Sequence, residues 1–380
     1  MSLIKPRFNP EPKYLHGQAN KTAVLYCNLG TPEAPTASAL RTYLAEFLSD
    51  PRVVEIPRWV WLIILHGIIL RIRPARSAKK YASIWTKDGS PLKVWTQRQA
   101  RALQSTFNGD VSLATKNNAA PSDQPLLVRY AMRYGSPSIG SELDLLKQQG
   151  VTRVLILPAY PQYSATTTAS LFDSVFSWGM KNRQLPEFRF INHYHDHPGY
   201  IQALADNISS YWKLHGRGEK LLMSFHGIPE RSLKLGDPYH CECHKTGRLL
   251  AEALSLGKDQ YIITFQSRFG KAKWLEPYTE PTAKSLAEKG IKNLDIVCPG
   301  FTSDCLETIE EIGMEVRETF LNAGGSQFNY IPCLNDSAEW IKALSKIIEE
   351  NTTGWRLSGP QTEAQRIISK QNALSVGATE

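Results

Sequence analysis

This chain has no run of residues long and apolar enough to cross a bilayer. Its most apolar stretch, Trp59 to Leu70, is twelve residues and includes His66 and Gly67, whereas a spanning helix needs about 20. Cysteine is scarce: Cys27, Cys241, Cys243, Cys298, Cys305 and Cys333 are scattered over 380 residues. That scatter argues against a disulfide framework and for a reducing cytoplasm. The segment from Lys5 to Lys21 is polar and proline-rich, without the apolar centre of a secretory signal. No RNP, zinc-finger or helix-turn-helix signature occurs, so nucleic acid is not an expected partner. Acidic residues are outnumbered, 36 against 44 Lys and Arg, for a net charge of +8. Anionic lipid or a carboxylated substrate is the expected kind of partner.

What is present is ordinary for a globular protein, at 42% apolar and 21% charged, and the length suits two domains. Strand-like runs occur at Thr22–Tyr26, Leu126–Ala131, Arg153–Leu157, Arg189–His193, Leu221–Phe225, Tyr261–Phe265, Leu294–Cys298 and Phe328–Ile331. Helix-favouring stretches lie between most of them, at Ala37–Leu48, Thr96–Thr106, Ser138–Gln148, Gly199–Trp212, Gly247–Leu256, Thr279–Lys289, Cys305–Leu321 and Ser337–Ile348. Such alternation predicts parallel sheets with helices on both faces.

The halves also rhyme. Leu25 to Pro32 resembles Met223 to Pro229, Ala131 to Gly135 resembles Gln266 to Gly270, and Leu157 to Ser164 resembles Cys298 to Ser303. Each match falls at a strand end, which suggests a duplicated α/β unit; the alternative is shared turn chemistry at strand-to-loop junctions. The Asn-, Ala-, Ser- and Pro-rich stretch 109–125 reads as a surface loop. The tail 351–380 reads as peripheral, with helix potential around Thr362–Ser369.

Two strand ends in the second half carry chemistry-bearing residues. The first reads Ser224-Phe225-His226-Gly227-Ile228-Pro229, and the second runs from Cys298 to Thr308 through Asp304, Cys305 and Glu307. Carboxyl ends of parallel strands open onto a ligand crevice. A histidine there is a switchable proton acceptor and a glutamate a fixed anion, a pairing suited to taking protons or passing a cation. Asp304, Glu307 and Glu311 stand at i, i+3 and i+7, one face of an α-helix, and Glu315 and Glu318 continue the stripe. The plain alternative is a solvated acidic face.

Together these segments resemble ferrochelatases, enzymes that insert ferrous iron into a porphyrin. The likeness extends to Asn28-Leu29-Gly30-Thr31-Pro32, Gly89-Ser90-Pro91-Leu92, Tyr160-Pro161-Gln162-Tyr163-Ser164 and Gln266-Ser267-Arg268-Phe269-Gly270, over about residues 20 to 345. The resemblance implies an α/β fold of two similar Rossmann-like, chelatase-like domains, each a four-stranded parallel sheet flanked by helices, with the site in the cleft between them. On this reading residues 20–190 form the first domain, completed by a helix near 337–350. Residues 191–336 form the second, with His226 and Glu307.

The resemblance also implies roles. His226 would accept pyrrole protons or help seat the metal, and Glu307, with Asp304 and Glu311, would handle iron. Leu29, Tyr81, Ser90, Arg133, Tyr160 and Trp274 would line the porphyrin site, Arg133 and Ser90 toward a propionate. For Arg133 the alternative is a salt bridge. The substrates implied are protoporphyrin IX and Fe2+, with no permanently bound cofactor. No iron–sulfur cluster is expected, since no cysteine follows Cys333. Many relatives have histidine where this chain has Cys305, so a metal role there is doubtful and a neutral buried thiol is expected. The helix after Glu307 is expected to widen locally into a π-turn. Coproporphyrin is the rival substrate, though that subtype usually carries tyrosine where this chain has Leu29; a porphyrin carrier would need neither base nor relay. The run Tyr239-His240-Cys241-Glu242-Cys243-His244 lacks a second pair at zinc spacing and is discounted as a metal knuckle.

Finally, Pro57 to Arg76 sets Trp59, Trp61 and an apolar run beside Arg58, Arg71, Arg73 and Arg76. That is the composition of an interfacial helix. The expectation is a cytoplasmic protein docked peripherally on an anionic membrane through residues 57–76, against the alternative of an ordinary buried helix.

Overall fold

The computed structural model describes residues 8–13, 16–108, 126–268, 270, 272–355 and 362–379. The expected loop 109–125 and Phe269 lie outside them. Eight strands are present among the described residues: β1 Lys21–Gly30, β2 Leu127–Tyr134, β3 Val151–Pro158, β4 Glu187–Phe190, β5 Lys220–His226, β6 Tyr261–Gln266, β7 Asn293–Val297 and β8 Gln327–Tyr330. They form two all-parallel sheets, ordered β2-β1-β3-β4 and β6-β5-β7-β8. The first strand of each half is central, so the chain turns to one side for its second strand and to the other for its third. This gives each sheet a topological switch point, between the carboxyl ends of β1 and β3 and of β5 and β7.

The duplication holds in detail. After β2, Met132 N donates to Pro137 O at 2.7 Å, and after β6, Phe265 N donates to Pro277 O at 2.9 Å. A helix follows at once in each half, Ile139–Gln148 and Thr279–Glu288. Inner strands are buried on both faces: Val24, Leu25, Tyr26, Leu222, Met223 and Phe225 are fully enclosed. That is why they read as continuous apolar runs rather than alternating ones.

One core cluster joins the sheets. It runs from Val24, Tyr26 and Leu157 through Tyr200 and Trp340 to Met223 and Phe265. The helix Ala338–Asn351 packs on Pro198–His215, and Arg189 and Arg153 hold the carbonyls of Asn351, Thr353 and Trp355. The chain therefore returns to the first sheet after completing the second. Gln99, fully buried, links the halves: its Nε2 donates to the carbonyls of Thr302 and Asn335, while its Oε1 accepts from Tyr26.

Several helices differ from expectation. β4 ends at Phe190, not His193, because the chain leaves the sheet after Ile191 N bonds Ile156 O. A helix the sequence pattern hid spans Ala165–Ala169 in π form and Ser170–Gly179 in α form. Its threonines are poor helix formers, but Ser164 caps it and Asp237 accepts from Ser164 Oγ and Ala165 N. The helix expected from Gly247 begins at Tyr239. The tail carries a helix, Glu363–Ser375, closed by a Thr362–Gln365 capping box.

Candidate active site

β5 delivers His226 to the switch point of the second sheet. Its Nδ1 lies 2.6 Å from Gly227 O. A carbonyl oxygen can only accept, so Nδ1 carries the hydrogen and the neutral ring presents its lone pair at Nε2. Among the described residues no hydrogen bond engages Nε2. The rings of Trp274 and Phe301 each sit 6.4 Å from the imidazole. Gly227 is needed for this packing, because a Cβ there would fall 2.8 Å from Gln266 O and 3.1 Å from the Trp274 ring.

The helix carrying the glutamates is π-wound from Glu307 to Val316, as the family likeness implied. The wider turn changes which side chains share a face. Glu311 is held by Ser267, whose N and Oγ donate at 2.7 and 2.5 Å. Ser267 can aim its N–H this way because its backbone is left-handed, at φ 65°. Gln266 ties the same turn by donating to Glu307 O at 2.8 Å. Burial raises the Glu311 carboxyl above its ordinary range, opposed by the Ser267 hydrogen bond and the nearby His226 and reinforced by the Glu307 charge. Glu311 thus senses both His226 and Glu307. On its other side Glu307 acts on Tyr81 and Cys305. Burial first, then the Glu307 charge, pushes both groups up, so Cys305 is a neutral thiol. Among the described residues these three groups do not converge on one ion-sized point.

The rest of the acidic stripe does something else. Asp304 is 7% exposed and its carboxylate accepts from Thr308, Asn335, Cys333 N and the Tyr330 hydroxyl. With its lone pairs so occupied it anchors the start of the helix. Glu315 does not continue a free stripe: it pairs with Lys80 at 2.7 Å, as does buried Glu310 at 3.0 Å. Glu318 falls on the following α-helix, Arg317–Asn322, and is exposed. The α-helical spacing failed here because the π winding breaks it.

Of the remaining sequence candidates, Leu29, Arg133 and Tyr160 lie at the ends of the first half's strands, Tyr81 on the helix Leu70–Ile84, Ser90 just before the helix Pro91–Asn108, and Trp274 beyond β6 in the second half. Leu29 packs on a cluster that includes Tyr43, Tyr81 and Tyr134. Ser90 is buried and accepts from Thr31 at 2.7 Å. Arg133 is committed to protein partners: Asp50 at 2.5 Å and both Ser170 O and Oγ at 2.8 Å. Burial alone would raise Asp50, but hydrogen bonds from Ser170, Arg52 N and Tyr134 and the Arg133 charge hold it low. Among the described residues Tyr160 OH and Trp274 Nε1 are buried without hydrogen-bond partners, which natural interiors seldom leave unexplained. Sequence reasoning missed Asp50, Lys80 and Tyr43, and it noted Gln266 and Ser267 without assigning them a role.

Paired four-stranded parallel sheets flanked by helices are a two-domain, chelatase-like α/β fold. SirB from Bacillus subtilis, solved with Fe3+, shares this fold at a TM-score of 0.51 over 89% of this chain and 98% of that one, at only 12% identity. The chain belongs to the ferrochelatase family, whose model matches residues 21–352. Ferrochelatases of Polaromonas sp. (61% identical, 98% of this chain, 99% of the relative) and Methylibium petroleiphilum (61%, 91% and 92%) match it nearly end to end. It is an enzyme, a lyase that inserts iron into a porphyrin in heme synthesis.

Proposed function

We propose that the porphyrin is protoporphyrin IX, metallated with Fe2+ to protoheme and two protons, and that His226 is the base. The observation that carries this is the Nδ1 contact with Gly227 O, which leaves Nε2 as the acceptor for pyrrole protons. Glu307 and Glu311 supply oxygen ligands for the incoming ion. Because the three groups do not share one point, iron is handed on rather than stored, which suits a metal that is substrate.

A planar macrocycle offers its nitrogens poorly to a metal. Walls that hold it bent bring it nearer the transition state. Leu29, Tyr81, Tyr160 and Trp274 supply those walls, and the unpartnered Tyr160 OH and Trp274 Nε1 supply polar contacts. Ser90 can donate its own hydrogen to a propionate, since its oxygen already accepts from Thr31. Arg133, engaged by Asp50, acts by fixing the Asp50–Tyr134–Ser170 cluster under the site. Asp304 acts as an anchor for the helix and not as an iron ligand. Zinc insertion followed by fluorescence, comparing protoporphyrin with coproporphyrin, tests the substrate. Faster turnover of coproporphyrin would overturn the assignment.

The domain reading is residues 20–190 with the helix near 337–350, then 191–336, with 351–380 peripheral. No permanent cofactor or iron–sulfur cluster is part of it. The protein is read as cytoplasmic, docking on an anionic membrane through 57–76. Among the described residues no helix can cross a membrane. What supports docking is the division of the helical segment Arg58–Ile84, the lip helix, into two faces: Trp61, Leu65 and Leu70 are buried, while Trp59, Ile63, Ile68 and Ile72 are exposed.

A further inference from the structure

Glu242, discounted above as part of a knuckle, gathers its partners from a different element. The chain leaving β4 carries His193 and His195 across to the helix Tyr239–Ala253. His193 Nδ1 lies 2.7 Å from one Glu242 oxygen and His195 Nδ1 lies 3.3 Å from the other. Donor atoms of all three residues fall within 4.8 Å of one another. We propose that His193, His195 and Glu242 form a second divalent transition-metal site, of zinc class, sharing no residue with the His226 cluster.

Two imidazoles and one carboxylate are a borderline donor set, suited to zinc, cobalt or ferrous ions and poor for magnesium or calcium. Three protein ligands leave one tetrahedral position for water. His195 is 6% exposed, and among the described residues its buried Nδ1 has no hydrogen-bond partner despite the nearby carboxylate. A buried ring nitrogen left unsatisfied beside a carboxylate is a place where an ion can be taken up. Among the described residues Glu242 forms ion pairs only with these two histidines, so its buried charge has no fixed cation beside it. The surroundings are braced: Tyr163 N donates to Glu242 at 2.7 Å and Thr246 Oγ1 to His195 O at 2.8 Å. His193, with half its side chain exposed, gives the ion its route from solvent. An ion here would fasten the segment after β4 to a helix of the second half.

The test is Co2+ titration of the chelator-treated full chain, read by visible absorption and equilibrium dialysis, with Zn2+ melts alongside. A His226→Ala/Glu307→Gln/Glu311→Gln background removes the porphyrin-site ligands. The expected result is one bound ion per chain in that background and a melting temperature raised by Zn2+. Adding His193→Ala should weaken binding at least roughly tenfold and abolish the thermal shift. His193 is half exposed, so its alanine variant should fold, and near-UV circular dichroism checks this; it carries the test if Glu242→Gln does not fold. Unchanged binding after His193→Ala, or no ion bound in the starting background, overturns the proposal.

Discussion

Replacing Trp59, Ile63 and Ile72 together with serine should release the protein from anionic membranes without unfolding it. These residues are 72%, 69% and 53% exposed, so they contribute little to the core. Full burial of a large apolar side chain is worth about 1.5–3 kcal/mol. Scaled by those exposures, each contributes about 1–2 kcal/mol on entering lipid, and the three together about 3–6 kcal/mol. At about 1.4 kcal/mol per decade, the partition coefficient should fall roughly a hundred- to ten-thousand-fold. Arg71 and Arg76 are exposed beside them and add about 1 kcal/mol each toward anionic headgroups. That part should fade with salt while the apolar part should not. The assay is co-sedimentation with vesicles of mixed neutral and anionic lipid at low and high salt. Wild-type binding by the triple variant would refute the lip as anchor. Leu62 is a poorer target, since it packs partly against the cluster around Trp61 and Leu65.

Other outcomes follow from the site. His226→Ala and Glu307→Gln should each cost a hundredfold or more in metallation while porphyrin binding, followed by fluorescence quenching, persists; a variant keeping over about a tenth of the rate, under 1.4 kcal/mol of barrier, would clear that residue. Glu311→Gln tests the electrostatics through stability. A raised carboxyl gives stability that is full below its unfolded value and is lost as pH rises through the folded value. The glutamine variant should therefore gain in melting temperature relative to wild type as pH climbs from about 4 toward 7, and a pH-independent difference would sink the argument. Lys80→Met should loosen the contact between the lip helix and the π-wound helix, raising KM for porphyrin more than it lowers kcat; the half-exposed pairs involved are worth under about 1 kcal/mol each. Acid-labile sulfide should be absent from anaerobically purified protein.

All eight strands were legible because doubly buried parallel strands read as apolar runs bounded by turns. Helices were less so where tertiary contacts replace pattern. The helix Tyr239–Ala253 opens on His240, Cys241 and Glu242, which carry no apolar period. It closes on the sheet through Gly247, where a Cβ would fall 2.5 Å from Ile263. His226 and Glu307 were found from their positions at strand ends. The supporting groups were not, since Ser267 lies 44 residues from Glu311 and Lys80 lies 230 from Glu310. Arg133 is the instructive case. Its place at a strand end was readable, but Asp50 sits 83 residues away in sequence and claims its guanidinium.

The π winding explains why the acidic stripe was readable in the sequence while the partners of its members were not. An α-helix would have put Glu311, Glu315 and Glu318 in one file behind Glu307. In the wider helix Glu311 turns to Ser267 and the His226 side, while Glu310 and Glu315 turn to Lys80 on the lip helix. One segment thereby faces two ways, toward His226 and toward the helix that carries Tyr81. The lip helix is itself π-wound at Leu65–Ile69, and the helix beneath Arg133 at Ala165–Ala169. Such widening costs backbone hydrogen-bond geometry, which is why it is rare outside sites that use it. We read its recurrence in all three as the means by which this fold brings side chains from three helices to one cleft.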